Sequence, residues 1–88
     1  MIFITEFERI YSAQGDKVLA EITFPERSVN TFCIDHTFVD DSLRGQGVAS
    51  KLVQMAVNEI KSRGGKVTAT CSYAAHWLEK NGIENNAE

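Results

Sequence analysis

The hydrophobic pattern of this chain changes its period once, between residues 39 and 48, and that change constrains the fold more than any other feature. Upstream, apolar and polar residues alternate, as in Lys17–Phe24, which is the pattern of a half-buried strand. Downstream, from Gln46 to about Ser62, apolar residues recur at the spacing of an amphipathic helix. The chain is therefore predicted to build strands first and then to enter a helix through one sharp corner.

The part of the chain before the corner is predicted to form three strands. They cover residues 2–11, 17–24 and about 29–39, and turn-forming residues separate them at 13–16 and 25–28. Because these connections are short, the three strands should form an antiparallel meander.

The part after the corner is predicted to add a helix, a strand and a second helix. Gly64-Gly65 ends the first helix, and residues 66–71 form a strand. A right-handed crossover through the helix makes that strand parallel to the third one. Ser72 can cap the second helix, which Asn81-Gly82 closes. The fold class is α+β, in the order β-β-β-α-β-α, with a three-strand antiparallel meander, one parallel strand and one helix on each face.

Size and charge exclude several classes of protein. The 88 residues suit one domain spanning 1–88, and a net charge of −3 without a basic run argues against nucleic-acid binding. No stretch is long enough to cross a membrane, and the N-terminus lacks the features of a signal peptide. Cys33 and Cys71 lack metal-ligand spacing, so we expect no metal site and a reduced, cytoplasmic protein.

The corner itself, Arg44–Ala49, has the composition of an anion site. A helix N-terminus presents unpaired N–H groups and partial positive charge, and Gly45 and Gly47 leave the backbone accessible. It is not a P-loop, because no Lys-Ser or Lys-Thr follows the glycines. The corner also does not match the dinucleotide-binding fingerprint, because it lacks the third small residue of that motif and the acidic residue at the end of the next strand. A glycine turn without any ligand, with Arg44 as a plain surface residue, is the alternative.

The hexapeptide Arg44-Gly45-Gln46-Gly47-Val48-Ala49 resembles the Gln/Arg-x-x-Gly-x-Gly/Ala pyrophosphate loop of the GNAT acetyltransferase superfamily. Val39 matches the residue that this superfamily commonly has five positions before the arginine. The resemblance covers roughly residues 31–83 and is greatest to the very small, single-domain N-acetyltransferase-like proteins. It implies a protein that binds acetyl-coenzyme A and transfers its acetyl group to an amine.

The resemblance also implies where coenzyme A binds. Its pyrophosphate would lie on the amides of about Arg44 to Ala49, with Lys51 adding charge to that of Arg44. Its pantetheine arm would lie where the third strand and the parallel strand separate, near Phe38–Val39 and Thr70–Cys71, bonding to backbone as an added strand does. The predicted cofactor-binding residues are Phe38, Val39, Arg44, Gly45, Gln46, Gly47, Val48, Ala49, Ser50, Lys51 and Cys71.

Cys71 is the first candidate catalytic residue. The family's second-helix pattern aligns loosely with residues 71–83, but Leu78 stands where the family has its proton-donating tyrosine, and Cys71 where it has asparagine. A thiol at a strand end before a helix is in a setting that activates it. Cys71 could protonate the leaving thiolate or accept the acetyl group, although a buried small hydrophobe is the alternative reading. Cys33 is predicted to belong to the core.

His36 is the second candidate catalytic residue, as a general base for the amine. A hydrogen-bonded structural histidine is the alternative. Tyr73 could donate a proton, but its i,i+4 spacing to Trp77 favours packing, and an acidic pair such as Asp40-Asp41 is usually solvent-facing structure. The thioester carbonyl would be polarised by a backbone N–H near Val39.

The acceptor side of the protein is expected to be open. Larger family members have two further helices after their first strand, whereas residues 12–17 make only a tight turn here. An open site suits an amine on a small molecule, protein or peptide, or a site that a partner protein or a homodimer completes. A non-catalytic acyl-coenzyme A binding module, or a partner-dependent regulator, is the alternative function.

Overall fold

A computed structural model describes residues 1–85 and has the predicted α+β architecture. A short 3-10 turn, Asp41–Leu43, follows the last strand of the meander. The regular elements are β1 Ile4–Glu6, β2 Arg9–Gln14, β3 Lys17–Thr23, β4 Glu26–Ser28, β5 Thr31–Ile34, β6 His36–Val39, α1 Val48–Ser62, β7 Lys66–Ala69 and α2 Ser72–Lys80.

The predicted meander is present as the sheet β1-β2-β3-β6, in which all neighbours are antiparallel. The first strand, expected to run unbroken over residues 2–11, instead turns at Phe7-Glu8 into a hairpin between β1 and β2. The Phe7 ring packs edge-on against Phe32, with ring centroids 5.6 Å apart. The Glu8 carbonyl accepts a hydrogen bond from the amide of Phe24. These contacts hold the turn against the core, although the sequence there contains no glycine or proline.

The predicted third strand divides at Asp35 and contributes to two sheets. Its first part, β5, pairs with β7, whereas its second part, β6, pairs with β3. The Asp35 carboxylate accepts hydrogen bonds from the Thr23 hydroxyl and, at 3.0 Å, from the Arg27 guanidinium. The β5–β7 pair is parallel, as predicted from the helical crossover.

The helices cover the sheets and enclose one core. α1 contacts β2, β3, β6 and β7, and α2 contacts β7 and α1. Three consecutive residues are buried both in β5, Phe32–Ile34, and in β7, Val67–Ala69, which is what a helix on each face of a sheet produces. The predicted fold class is confirmed.

The ends of α1 are set by two glycines in left-handed backbone conformations. The helix begins at Val48, two residues later than predicted, because Gly47 has φ +70° and cannot be part of it. It ends at Ser62, followed by Gly64 with φ +71°. The amide of Gly65 then donates to the Ile60 carbonyl, which satisfies one of the last carbonyls of the helix.

Candidate active site

The division of the sheet opens a gap between β6 and the end of β7. The regular pairing ends at Ile34 and Ala69, after which the amides of Thr70 and Cys71 both donate to the Ile34 carbonyl, at 3.1 and 3.2 Å. Beyond that point, among the strands of residues 1–85, β6 pairs only with β3. The gap lies near the place where the family resemblance implied that the two strands would separate.

The corner before α1 is built on backbone conformations that glycine adopts easily. Gly45 has φ +81° and Gly47 has φ +70°, in the region that other residues rarely occupy. A Cβ atom placed on either glycine would have no heavy atom of the described residues within 4 Å. The space in front of both residues is open, so their identity is explained by backbone conformation and not by close packing within the protein.

Backbone N–H groups converge on this space. Within residues 1–85, no acceptor is found for the amides of Gly47, Val48, Ala49 and Ser50, and the amide of Lys51 is the first to bond back, to the Gly47 carbonyl at 3.1 Å. Unpaired amides at a helix start, together with the helix dipole, attract negative charge. The arrangement therefore suits an anion at the start of α1.

The unpaired amides border a cavity of about 310 Å³, which we call the loop cavity. It is large enough for a pyrophosphate group and part of an attached chain. It is lined by Val39, Asp40, Asp41, Leu43, Arg44, Gly45, Gly47, Val48, Ala49, Ser50 and Tyr73.

Four of the predicted cofactor-binding residues, Phe38, Gln46, Lys51 and Cys71, are not among the residues that line the loop cavity. Phe38 is 40% exposed and does not line the loop cavity, and neither does Gln46. The ammonium of Lys51 lies 5.5 Å from the centre of the Phe3 ring. Cys71 lies in the gap between the sheets. Tyr73, which we interpreted from the sequence as a packing residue, lines the loop cavity instead.

Two carboxylates stand at the rim of the loop cavity, and each has compensating partners. Asp41 accepts a hydrogen bond from the Arg44 guanidinium at 2.9 Å, and both side chains are exposed. Hydrogen bonds from Ser42, first from its hydroxyl and then from its amide, hold the pKa of Asp40 below its ordinary value. Asp40 also lies 3.4 Å from the Lys17 ammonium. Each rim carboxylate therefore has a basic side chain beside it, Arg44 for Asp41 and Lys17 for Asp40.

The two cysteines occupy different environments. Cys33 is buried, as predicted, and its Sγ lies 3.5 Å from the Thr70 hydroxyl. Cys71 is half-buried at the N-cap position of α2, the position that the sequence assigned to Ser72. Its Sγ lies 3.7 Å from the hydroxyl of Thr37 in β6, so this thiol bridges the gap.

His36 and Cys71 are not brought together. The His36 side chain lies on the exposed face of the β1-β2-β3-β6 sheet, with Nε2 3.5 Å from the Glu21 carboxylate. Thr37, the neighbour of Cys71, points to the opposite face because side chains alternate along a strand. Leu78 is fully buried, and its side chain has no proton to donate.

Comparison with known proteins shows which family this chain belongs to. Residues 8–86 match the family model described as GCN5-related N-acetyl-transferase. The chain belongs to this family. A solution structure of a GCN5-like N-acetyltransferase from Staphylococcus aureus is 37% identical, with a TM-score of 0.76, over 91% of this chain and 79% of that one. This degree of similarity identifies our protein as a compact N-acetyltransferase-family member.

More distant acetyltransferases share the fold. An IAA acetyltransferase from Bacillus cereus is 22% identical with a TM-score of 0.64, over 83% of this chain and 52% of that one. A glucosamine-6-phosphate N-acetyltransferase from Arabidopsis thaliana is also 22% identical, with a TM-score of 0.61, over 91% of this chain and 61% of that one. No curated protein matches the chain. Neither helix of the described part of this acetyltransferase-family chain has the length and apolar character needed to cross a membrane.

Proposed function

We propose that this protein binds acetyl-coenzyme A at the start of α1 and transfers the acetyl group to an amine. The observation that supports this most is the set of unpaired amides from Gly47 to Ser50 facing the loop cavity. A pyrophosphate there would accept hydrogen bonds from backbone donors already held in place by α1. The fit is chemical as well as spatial, because the lining offers donors, the Arg44 cation and small residues.

The gap between β6 and β7 would take the pantetheine arm. The facing edges of two separated strands carry backbone N–H and C=O groups, and an extended chain with amide bonds can pair with them as an extra strand does. The gap adjoins the loop cavity through Val39, the last residue of β6. The thioester end would then lie towards Cys71.

The reaction requires two proton movements. The neutral amine attacks the thioester carbonyl, a C–N bond forms, the C–S bond breaks and coenzyme A departs as a thiolate. The amine must lose a proton and the thiolate must gain one. We assign the second task to Cys71, because it lies in the gap and because Leu78 has no proton to give. The Val39 amide is our candidate for polarising the carbonyl.

His36 is our candidate base, for an amine that arrives over the exposed face of the sheet. Its contact with the Glu21 carboxylate, at 3.5 Å, would orient the ring. The same contact would hold a purely structural histidine, so His36 ranks below Cys71 in this proposal. The separation of the two side chains means that base and acid would act from opposite faces of β6.

The acceptor is proposed to be an amine on a peptide, protein or small molecule. The face that carries His36, Glu21 and Phe38 is not covered by α1 or α2, and Phe38 is 40% exposed there. Such a surface admits a chain as readily as a small amine, and a second protein or second copy could complete it. We also infer a reduced, cytoplasmic setting, because both cysteines are free.

A second candidate function is a non-catalytic acyl-coenzyme A binding module. The buried Leu78 favours it, because the family's usual proton donor is missing at that position. Both candidate functions predict that acetyl-coenzyme A binds, but only the enzyme is expected to acetylate an amine. An acetylation assay with a broad panel of amines and peptides distinguishes them.

Binding is tested by thermal unfolding. Acetyl-coenzyme A at about 100 times its Kd should stabilise the fold by about 2.7 kcal/mol. For a chain of this length, that corresponds to a rise in Tm of roughly 10 °C. NADH and ATP have no pantetheine arm and should give much smaller shifts. Equal shifts with all three compounds would indicate a general phosphate site and contradict the proposal.

The charged residues at the rim of the loop cavity should have a smaller effect on acetyl-coenzyme A affinity. Arg44→Ala should weaken acetyl-coenzyme A binding by no more than about fivefold, because it removes one exposed charge and leaves the amides in place. Asp41→Asn should strengthen binding slightly, because it frees Arg44 and removes a repelling carboxylate. Titration calorimetry at low and high salt measures both changes. A loss above tenfold for Arg44→Ala would contradict a site built mainly from backbone amides.

A further inference from the structure

Four strands lie at the edges of the two sheets in the described part of the chain: β4 and β7 in one sheet, β1 and β6 in the other. The edge of β7 is covered by the Asn85 side chain, which bonds to the N–H and C=O groups of Ala69 at 3.0 and 3.2 Å. β4 follows Pro25 and carries the exposed Arg27, and both features oppose the addition of another strand. The edge of β6 opens on the gap that Cys71 bridges.

The edge of β1 has none of these protections. Among the strands of residues 1–85, β1 pairs only with β2. Residues 2–6 contain no proline, lysine or arginine. Ile2 is 82% exposed and Ile4 is 47% exposed. An edge that combines unpaired backbone groups with exposed apolar side chains favours pairing with a further strand.

Two oppositely charged residues of α1 lie beside β1, at different heights along the strand. The Lys51 ammonium lies 5.5 Å from the centre of the Phe3 ring, so Lys51 is level with residue 3. Thr5 and Glu59 line one cavity of about 360 Å³, so Glu59 is level with residue 5. Within residues 1–85, no carboxylate pairs with Lys51. Lys51 therefore has a charge that a second molecule can match.

Antiparallel pairing of β1 with the β1 strand of a second copy, about a twofold axis at Ile4, matches these charges. Ile4 then faces the partner's Ile4, and Phe3 faces the partner's Thr5. Lys51 comes level with the partner's Glu59, and the axis repeats this contact. An axis at residue 3 would place the two lysines opposite each other, and an axis at residue 5 would do the same with the two glutamates. Of these three registers, only the axis at Ile4 pairs opposite charges.

We propose that the β1 edge is an interface between two copies of this chain, paired antiparallel about Ile4. Backbone hydrogen bonds between the two β1 strands join the two antiparallel sheets into one, as in other complexes formed by strand addition. Ile2 and Ile4 are partly removed from water, and the pairs of Lys51 with Glu59 set the register. β1 and β6 are opposite edges of their sheet, so the interface leaves the gap and the loop cavity free. The inference does not rest on the proposed function.

Sedimentation equilibrium measures the association of the wild-type chain, whose monomer has a mass of 9.8 kDa. A small interface of this kind should give a dimer with a Kd of roughly 10–100 μM. Ile4→Lys should weaken association by about tenfold or more, because the axis places the two introduced charges against each other. Val29→Lys changes an 89% exposed residue between β4 and β5 and should leave the Kd unchanged.

An exchange of charges tests the register. Lys51→Glu and Glu59→Lys should each weaken association about five- to tenfold, because each substitution leaves like charges facing each other twice across the axis. An equimolar mixture of the two variants should associate about as tightly as the wild type, because each copy supplies the charge that its partner lacks. Recovery in the mixture would also show that both variants are folded.

Three results would contradict the inference. A wild-type chain that stays monomeric at millimolar concentration would show that the β1 edge does not pair with itself. A dimer that persists in Ile4→Lys would place the contact on another surface. A mixture that associates as weakly as either charge variant alone would exclude the register about Ile4. Acetyl-coenzyme A binding is measured separately, so none of these results bears on the proposed function.

Discussion

Cys71→Ala is expected to lower turnover by about a hundredfold, the usual scale for a positioned proton donor or nucleophile. Affinity for acetyl-coenzyme A should be nearly unchanged, because the unpaired amides at α1 do not depend on the thiol. The reason for the turnover loss is the location of Cys71 in the gap, 3.7 Å from Thr37 and near the proposed thioester. Measurement of kcat on any accepted amine, at temperatures where the variant is folded, checks this.

Cys33→Ala is the matched control. Cys33 is also beside a threonine hydroxyl, at 3.5 Å, but it is buried in the core. Its truncation should reduce the free energy of unfolding by about 1 kcal/mol, through a small cavity, with turnover per folded molecule retained. Full activity in Cys71→Ala would rule out any chemical role for that thiol.

Mass spectrometry distinguishes a covalent role of Cys71 from a role as proton donor. In a covalent route, the Cys71 sulfur bonds to the acetyl carbon, coenzyme A leaves as a thiolate, and the amine later displaces the cysteine. Incubation with acetyl-coenzyme A alone should then add one acetyl group at residue 71, removable by hydroxylamine. In the proton-donor route, which we favour, Cys71 gives its proton to the departing thiolate and no adduct forms.

Gly47→Ala is expected to weaken acetyl-coenzyme A binding tenfold or more, and Gly47→Val by still more. A side chain at this position would project into the open space before the α1 amides, where the pyrophosphate is proposed to bind. It would also strain the backbone, because φ is +70°. The strain alone should reduce the free energy of unfolding by about 1–2 kcal/mol.

Gly64→Ala separates these two effects. Gly64 has φ +71°, an equally empty surrounding and a position at the opposite end of the same helix. Its substitution should therefore reduce the free energy of unfolding as Gly47→Ala does, while binding is unaffected. Calorimetric titration and thermal unfolding of both variants provide the comparison. Equal affinities for the two variants would contradict a pyrophosphate site at Gly47.

The elements that the sequence predicted well are those whose pattern is local. The alternation in Lys17–Phe24 correctly predicted a strand. The helical spacing of apolar residues, followed by glycine, predicted the ends of α1 to within two residues. The parallel β7 followed from chain connectivity, because a helix lay between it and the preceding strand. Each of these inferences used only neighbouring residues or the order of elements.

The division of the third strand could not be predicted, because it depends on contacts between distant residues. Residues 29–39 contain neither glycine nor proline, so no such strand-breaking residue marks the division. What holds the break is the hydrogen bonding of Asp35 to Thr23 and Arg27, each from a different part of the chain. The hairpin at Phe7-Glu8 has the same kind of cause, since Phe7 is held against Phe32.

Only part of the candidate site could be predicted, because some of its residues are adjacent in sequence and others are brought together by the fold. Residues adjacent in sequence, such as those from Gly47 to Ser50, line the loop cavity together because they all belong to one helix start. Tyr73 was missed because it reaches the loop cavity from α2, which no local pattern indicates. The opposite orientations of His36 and Thr37 became clear only once the faces of β6 were known.

The donor groups at the start of α1 also bear on how this protein can diverge over evolutionary time. A backbone N–H is supplied by every residue type except proline. Substitutions at positions 48, 49 and 50 can therefore accumulate without removing a donor, provided that the side chains stay small enough for the cavity. Substitutions of Gly45 and Gly47 should be tolerated much less, because both residues have left-handed φ values. Among distantly related sequences, we therefore expect the two glycines to be retained, while the residues that supply the amides vary.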